Sequence, residues 1–204
     1  SNQESARRSG FDAEIVELSN LRGDMQMKSI FKPIVPDASI ADLRMHWDAN
    51  RVMFTTLMGE NDKRWNVYEV KLDGTGCKKL IENEEPDLEF YDGTYLPDGR
   101  IIANSNIGYQ GVPCVSGDDP VGNMVLYTPE QKNLRRLTFD QDANWNPVVM
   151  NNGRVMYTRW EYTDLTHYYS RIVMHMNPDG TENKALYGSG SMFPNSTFDI
   201  QPLP

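Results

Sequence analysis

Scarcity narrows the chemistry of this 204-residue chain before any motif does. It holds two cysteines, Cys77 and Cys114, and three histidines. Neither cysteine belongs to a C-x-x-C or C-x-x-C-H pattern, so the spacings of zinc ribbons, dithiol redox centres and covalent haem attachment are missing. The two lie far apart in the sequence and read as unbridged thiols. Lys and Arg number 20 against 29 Asp and Glu, a formal net charge of −9, and the densest basic cluster is the pair Arg135-Arg136. Nucleic-acid binding neutralises phosphates with clustered cations, so that class is excluded. No apolar run approaches the roughly 18–20 residues that a membrane-spanning helix needs. There is no Gly-x-Ser-x-Gly elbow, and Gly188-Ser189-Gly190 is a lone short loop rather than a phosphate cradle. The pair Glu84-Glu85 sits in a Pro-containing acidic stretch and reads as solvated surface. The polar opening, residues 1–11, lacks an initiating Met and reads as a disordered, processed tail, such as a removed export signal would leave.

Against these absences stand 39% hydrophobic and 10% aromatic residues, enough to fold around a core despite the net charge. Their arrangement repeats. Arg51-Val52-Met53-Phe54-Thr55-Thr56 returns as Arg100-Ile101-Ile102-Ala103-Asn104-Ser105 and again as Arg154-Val155-Met156-Tyr157-Thr158-Arg159, with starts 49 and then 54 residues apart. Before each copy a short alternating run ends in a polar turn: Asp48-Ala49-Asn50, Pro97-Asp98-Gly99 or Asn151-Asn152-Gly153. After each copy come a loop, an alternating third run (Val67-Tyr68-Glu69-Val70, Met124-Val125-Leu126-Tyr127, Ile172-Val173-Met174) and a fourth. Period-two alternation closed by tight polar turns makes hairpins, because Gly and Asx residues accept the turn's backbone angles cheaply. Four antiparallel strands per roughly 40–50 residues is the unit of a β-propeller.

The fold class is therefore all-β, a partial β-propeller of antiparallel four-stranded blades. Residues 12–204 form the propeller domain, with full blades at 40–82, 92–139 and 145–188. Residues 12–36 read as the last two strands of a preceding blade and 196–204 as the first strand of a following one. Propellers close with four or more blades, and bare edge strands pair readily. The expected partners are accordingly the remainder of a longer propeller or a second copy of the chain. Trp47, Trp65, Trp145 and Trp160 are expected to fill the space between twisted blades.

The run Leu137-Thr138-Phe139-Asp140-Gln141-Asp142, then Trp145-Asn146-Pro147, then Asn152-Gly153-Arg154-Val155-Met156-Tyr157, resembles the repeat of TolB-like (WD40-like) propellers, and Pro97-Asp98-Gly99-Arg100-Ile101-Ile102 matches it most closely. The longer third repeat, with Tyr157-Thr158-Arg159-Trp160-Glu161-Tyr162 and Met176-Asn177-Pro178-Asp179-Gly180, is also similar to the propeller of hydrazine synthase alpha-subunit-like proteins. The resemblance implies an exported domain, periplasmic or extracellular, free or as a lipoprotein. In that second family the propeller lends a cysteine to a zinc beside a haem, for which Cys114 is the counterpart here. Without C-x-x-C-H this chain attaches no such haem.

Two loops between second and third strands exceed what a hairpin requires, 106–122 and 160–169, and both emerge on one face. Long loops on a rigid scaffold are where binding residues concentrate. Tyr109, Gln110, Arg159, Glu161, Tyr162 and His167 are the candidate ligand-binding residues. Cys114 and His167 are the candidate metal ligands, although zinc takes three or four. The chain is otherwise expected to carry no cofactor. Asp140-Gln141-Asp142-Ala143-Asn144 opens like a calcium loop, but Trp145 stands where Gly is required and Asn151 where Glu is, so it reads as a turn between blades. The expected function is a non-catalytic, exported recognition or assembly platform for protein or carbohydrate partners. The alternative is the propeller section of a larger exported enzyme, haem-bearing or hydrolytic, whose catalytic domain lies elsewhere.

Overall fold

The structure, a computed structural model, describes residues 7–59, 63–113, 116–161, 171–190 and 196–203. Alternation and turn chemistry produce an all-antiparallel chain of hairpins. Strands β1 (Ile15–Ser19) and β2 (Gln26–Phe31) form a two-stranded sheet. Three four-stranded sheets follow in simple meander order. The first contains β3 (Ile40–Met45), β4 (Arg51–Thr56), β5 (Asn66–Lys71) and β6 (Lys78–Lys79). The second contains β7 (Phe90–Tyr95), β8 (Ile101–Ser105), β9 (Asn123–Thr128) and β10 (Asn133–Arg136). The third contains β11 (Asn144–Val149), β12 (Val155–Trp160), β13 (Arg171–Met176) and β14 (Lys184–Tyr187). We call these sheets blades I to IV. The architecture is the partial propeller that the repeats predict, half a blade and then three full ones.

One device closes every first hairpin. The Asp48, Asp98 and Asn152 side chains each accept the backbone N–H two residues on, from Asn50, Arg100 and Arg154. The third-to-fourth hairpins of blades II and IV use the same Asx turn, Asp73 accepting from Thr75 N–H and Asp179 from Thr181 N–H. These carboxylates prefer to be charged: hydrogen bonding at the turn holds Asp48, Asp73, Asp98 and Asp179 below the usual range.

The core lies between blades rather than inside one. Ile15, Ile30 and Phe31 of blade I meet Val52, Phe54 and Val70 of blade II. Met53, Val67 and Ile81 meet Phe90, Ala103 and Val125 of blade III. Ile102, Met124 and Leu126 meet Val155, Tyr157 and Met174 of blade IV. The twist of each sheet makes the next blade pack face to face at an angle, so both faces of a middle blade are apolar. Gly93 shows how close the approach is: a Cβ there would stand 2.5 Å from Met53 Sδ and 3.1 Å from Val67 Cγ1.

Three of the four tryptophans fill interior space as expected, Trp65, Trp145 and Trp160 being buried. Trp47 is not among them; it is 61% exposed. The tail also differs from the sequence reading in its described part. Ser9 bridges Ala38, and the Arg8 guanidinium grips Glu89 at 2.5 and 2.9 Å, so from Arg7 onward the segment is tied to blades II and III. At the other end, Arg171 is sandwiched between the rings of Trp145 and Phe198, 4.5 Å from each centroid. That stacking and a bridge between Arg171 and Ser196 fasten residues 196–203 to blade IV.

Candidate functional site: the propeller axis

The first strand of each full blade is broken at the same place. Register shifts interrupt β3 between Ala41 and Arg44, β7 between Tyr91 and Thr94, and β11 between Trp145 and Val148. Each bulge holds one residue in the left-handed region: Asp42 at φ 58°, Asp92 at 52° and Asn146 at 53°. Asp199, in the segment after blade IV, takes 44°. Asp and Asn tolerate this conformation better than other side chains. A bulge re-aims the strand, and here it turns a polar side chain toward the neighbouring blade.

These residues link hand to hand across the blades. Asp42 Oδ2 accepts the backbone N–H of Asp92 at 3.0 Å. Asp92 Oδ2 accepts the backbone N–H of Asn146 at 2.5 Å. Asn146 Nδ2 donates to Asp199 Oδ1 at 3.1 Å. The partners are 50, 54 and 53 residues apart, one repeat each. Second strands brace the clasp: Thr55 Oγ1 accepts from Asp92 N–H at 3.2 Å, and Asn104 Nδ2 donates to Asp92 Oδ2 at 3.2 Å. The clasp faces the cation of Arg44, whose Nη2 lies 3.5 Å from Asp92 Oδ1.

The energetic consequence is unusual carboxylates. Asp92 is 3% exposed, and burial, reinforced by the Asp42 charge, pushes its pKa up to about 7 despite Arg44. Burial also raises Asp42, against the hydrogen bonds from Thr55 and the Asp92 N–H. Two carboxyls sharing one poorly solvated site resist ionising together.

Beside the clasp the first strands open into a cleft of about 440 Å³. Blade II contributes Arg44, Met45 and Trp47, blade III Thr94 and Tyr95, and blade IV Val149 and Asn151. Gln201 and Pro202 of the last segment complete it. Four successive units therefore converge, as only the axis of a propeller allows. Tyr95 walls the cleft off from a second groove of about 360 Å³ between blades II and III. Its hydroxyl donates to buried Glu69 at 2.9 Å and its ring stands edge-on to His46. Burial, then that hydrogen bond, raises the Tyr95 pKa, so the phenol remains a neutral donor.

Of the residues singled out from the sequence, Tyr109, Gln110, Arg159 and Glu161 are described. Tyr109 is exposed with φ 48°, and Gln110 is exposed while its carbonyl accepts the Val121 N–H at 2.7 Å. In the described part of their loop, the Val112 N–H donates to the Asp119 carbonyl at 2.7 Å and Gly111 bridges Pro120. The Arg159 guanidinium is engaged by Glu161 and, at 3.2 Å, by Asp140, so these three residues lock one another. Asp140 also accepts from Asn144 Nδ2 at 3.2 Å, as expected of a turn between blades. Tyr162, His167 and Cys114 lie outside the described residues, and with them the zinc expectation. Among the described residues no three His, Cys, Asp or Glu side chains are arranged to hold a metal ion.

Sequence reasoning missed Asp42, Asp92, Asn146, Asp199 and Trp47. A signal was present: Tyr91-Asp92, Trp145-Asn146 and Phe198-Asp199 repeat an aromatic–Asx pair at the repeat spacing.

No family model and no curated protein matches the chain. Solved structures do. Hydrazine synthase of Kuenenia stuttgartiensis superposes with a TM-score of 0.64 at 11% identity, over 79% of this chain and 27% of that one. A putative TolB from Agrobacterium tumefaciens gives 0.58 at 17% identity, over 79% of this chain and 52% of its own. The fold resembles these propellers. A puromycin-hydrolysing peptidase from Mycobacterium tuberculosis also matches, with a TM-score of 0.51, 16% identity and 22% of its length covered. At such identities the likeness concerns the fold alone, and the chain spans only about a quarter to a half of these proteins.

Proposed function

We propose that this propeller section is a recognition or assembly platform of an exported protein, engaging a protein or carbohydrate partner at its axial cleft. The reading rests on the convergence of four units on one cleft that presents exposed Trp47, Leu43 and Met45 beside neutral polar side chains. Ligand sites collect where rigid elements converge around mixed apolar and polar surface, and large aromatics left in water mark contact surfaces more often than folding needs. Export fits the acidic composition and the TolB-like architecture. Among the described residues no helix is long and apolar enough to cross a membrane.

The test is a binding and turnover screen on the purified chain. Oligosaccharide and peptide panels, read by chemical-shift mapping, are expected to perturb the axial strands β3, β7 and β11. Esterase, peptidase and redox panels are expected to show no turnover. Turnover by the isolated chain, or ligand shifts confined to other surfaces, refutes the platform.

A second reading makes the chain the propeller of a larger exported enzyme. It is favoured by the small share of the hydrazine synthase and peptidase chains that it covers. A serine-hydrolase elbow or C-x-x-C-H in the same full-length gene product would decide for it.

A further inference from the structure

Among the tryptophans, Trp47 alone departs from good packing. Its three counterparts are 0%, 8% and 6% exposed, whereas Trp47 leaves 61% of its surface in water. It stands just beyond β3, at the mouth of the axial cleft. The Asx turn of Asp48 begins at the next residue, so the backbone beneath the indole is pinned by the Asp48–Asn50 hydrogen bond at 2.9 Å. A rigid, solvent-facing indole loses little conformational entropy when something stacks on it.

What stacks is constrained by the rest of the cleft. Its volume, about 440 Å³, lies in the range of small-ligand sites and is short for an extended peptide. The depth is closed by Arg44, already held by Asp92 at 3.5 Å and by the Leu43 carbonyl at 3.2 Å. That cation faces the Asp42–Asp92 pair, which carries the offsetting negative charge, and the net charge of −9 disfavours an anionic ligand. The accessible polar side chains are neutral: Asn151, whose Nδ2 donates to the Leu203 carbonyl at 3.0 Å, and Gln201. Carboxamides offer both donors and acceptors, the complement of a ligand dense in hydroxyl groups. A flat apolar platform beside neutral donor–acceptor side chains fits a sugar ring, which has an apolar C–H face and a polar rim.

We infer that the axial cleft is a binding site for a neutral pyranose unit of a glycan, stacked on Trp47 and hydrogen-bonded by Asn151 and Gln201. This rests on the platform reading and specifies its ligand.

Trp47 reports on its own occupancy, because the other three indoles are buried. Intrinsic fluorescence is titrated with maltotriose, cellotriose and chitotriose, with a trigalacturonate as the acidic control and an apolar aromatic peptide as the rival. At least one neutral sugar is expected to quench or shift the emission saturably and to bind more tightly than the acidic one. Trp47→Ala, at an exposed position that leaves the fold intact, is expected to weaken that sugar at least about tenfold by calorimetry. Gln201→Ala is expected to weaken it less. No response to any neutral sugar, affinity indifferent to Trp47→Ala, or preference for the acidic sugar overturns the inference. A response to the peptide alone also overturns it, while leaving the platform intact.

Discussion

Replacing Asp92 by Asn tests the axial clasp at its centre. Asp92 keeps its proton to about pH 7 in the folded chain, whereas in the unfolded chain it ionises near 3.8. Between those values unfolding releases a proton, so this carboxyl's contribution to stability is fully present below about pH 4 and is lost as pH rises through about 7. A rise of about three units corresponds to roughly 4 kcal/mol in full, of which about 2 kcal/mol survives at about pH 5.5 and almost none at about pH 8.5. Asn cannot titrate but keeps an oxygen to accept the N–H of Asn146 and the amide of Asn104. Blade IV already places an amide, Asn146, at the equivalent bulge, so the backbone accommodates it. Urea unfolding followed by circular dichroism, from about pH 5.5 to 8.5, stays clear of the isoelectric point near 4.8. The wild type is expected to lose about 2 kcal/mol relative to Asp92→Asn over that range, equivalent to about 4–8 °C in Tm. A gap that stays constant, or one in which the wild type gains as pH rises, refutes a protonated Asp92 and with it the reading of a carboxylate pair denied full ionisation.

Three further outcomes are expected. Gly93→Ala forces a methyl against Met53 Sδ at 2.5 Å between blades II and III, costing about 1–3 kcal/mol by overpacking, and an unchanged urea midpoint would refute the close approach. Arg8→Ala removes the two bonds to Glu89, so hydrogen exchange should quicken at Ser39, whose N–H donates to the Arg8 carbonyl, with little change in global stability; unaltered exchange would show that the segment is not latched there. Cys77 is exposed but its thiol is pushed up by partial burial, so iodoacetamide should modify it more slowly than free cysteine near pH 8 and faster as pH rises, and rapid labelling at pH 7 would contradict this.

Much of the architecture was legible because repetition and turn chemistry are local. Asp98-Gly99-Arg100 and Asn152-Gly153-Arg154 form the same Asx turn wherever they stand, and the runs beside them alternate whether or not a neighbouring blade exists. The candidate site was legible only in part. Tyr109 and Gln110 are exposed on a long loop as read, but Arg159 is spent on Asp140 and Glu161, an engagement that joins residues of two different connections. Asp92 was marked only by the repeat of its aromatic–Asx pair, which says nothing of what surrounds it. Its meaning comes from Asp42, Asn146 and Arg44, one repeat or more away, and from burial that only the packed blades create.

The sequence by itself determined the strand order, the four-stranded unit and the hairpin turns, since backbone preference and period-two alternation act within a few residues. Tertiary structure alone decided which polar residues lost their water and which tryptophan kept it. Asp42 and Asp92 became reluctant acids because bulges in separate blades turn them onto one axis, where desolvation outweighs Arg44. Trp47, spelled like three buried tryptophans, remains exposed because it stands beyond the end of β3 at the mouth of the open cleft rather than between two sheets. Composition counts side chains; only the packing of blades assigns them to core, clasp or cleft.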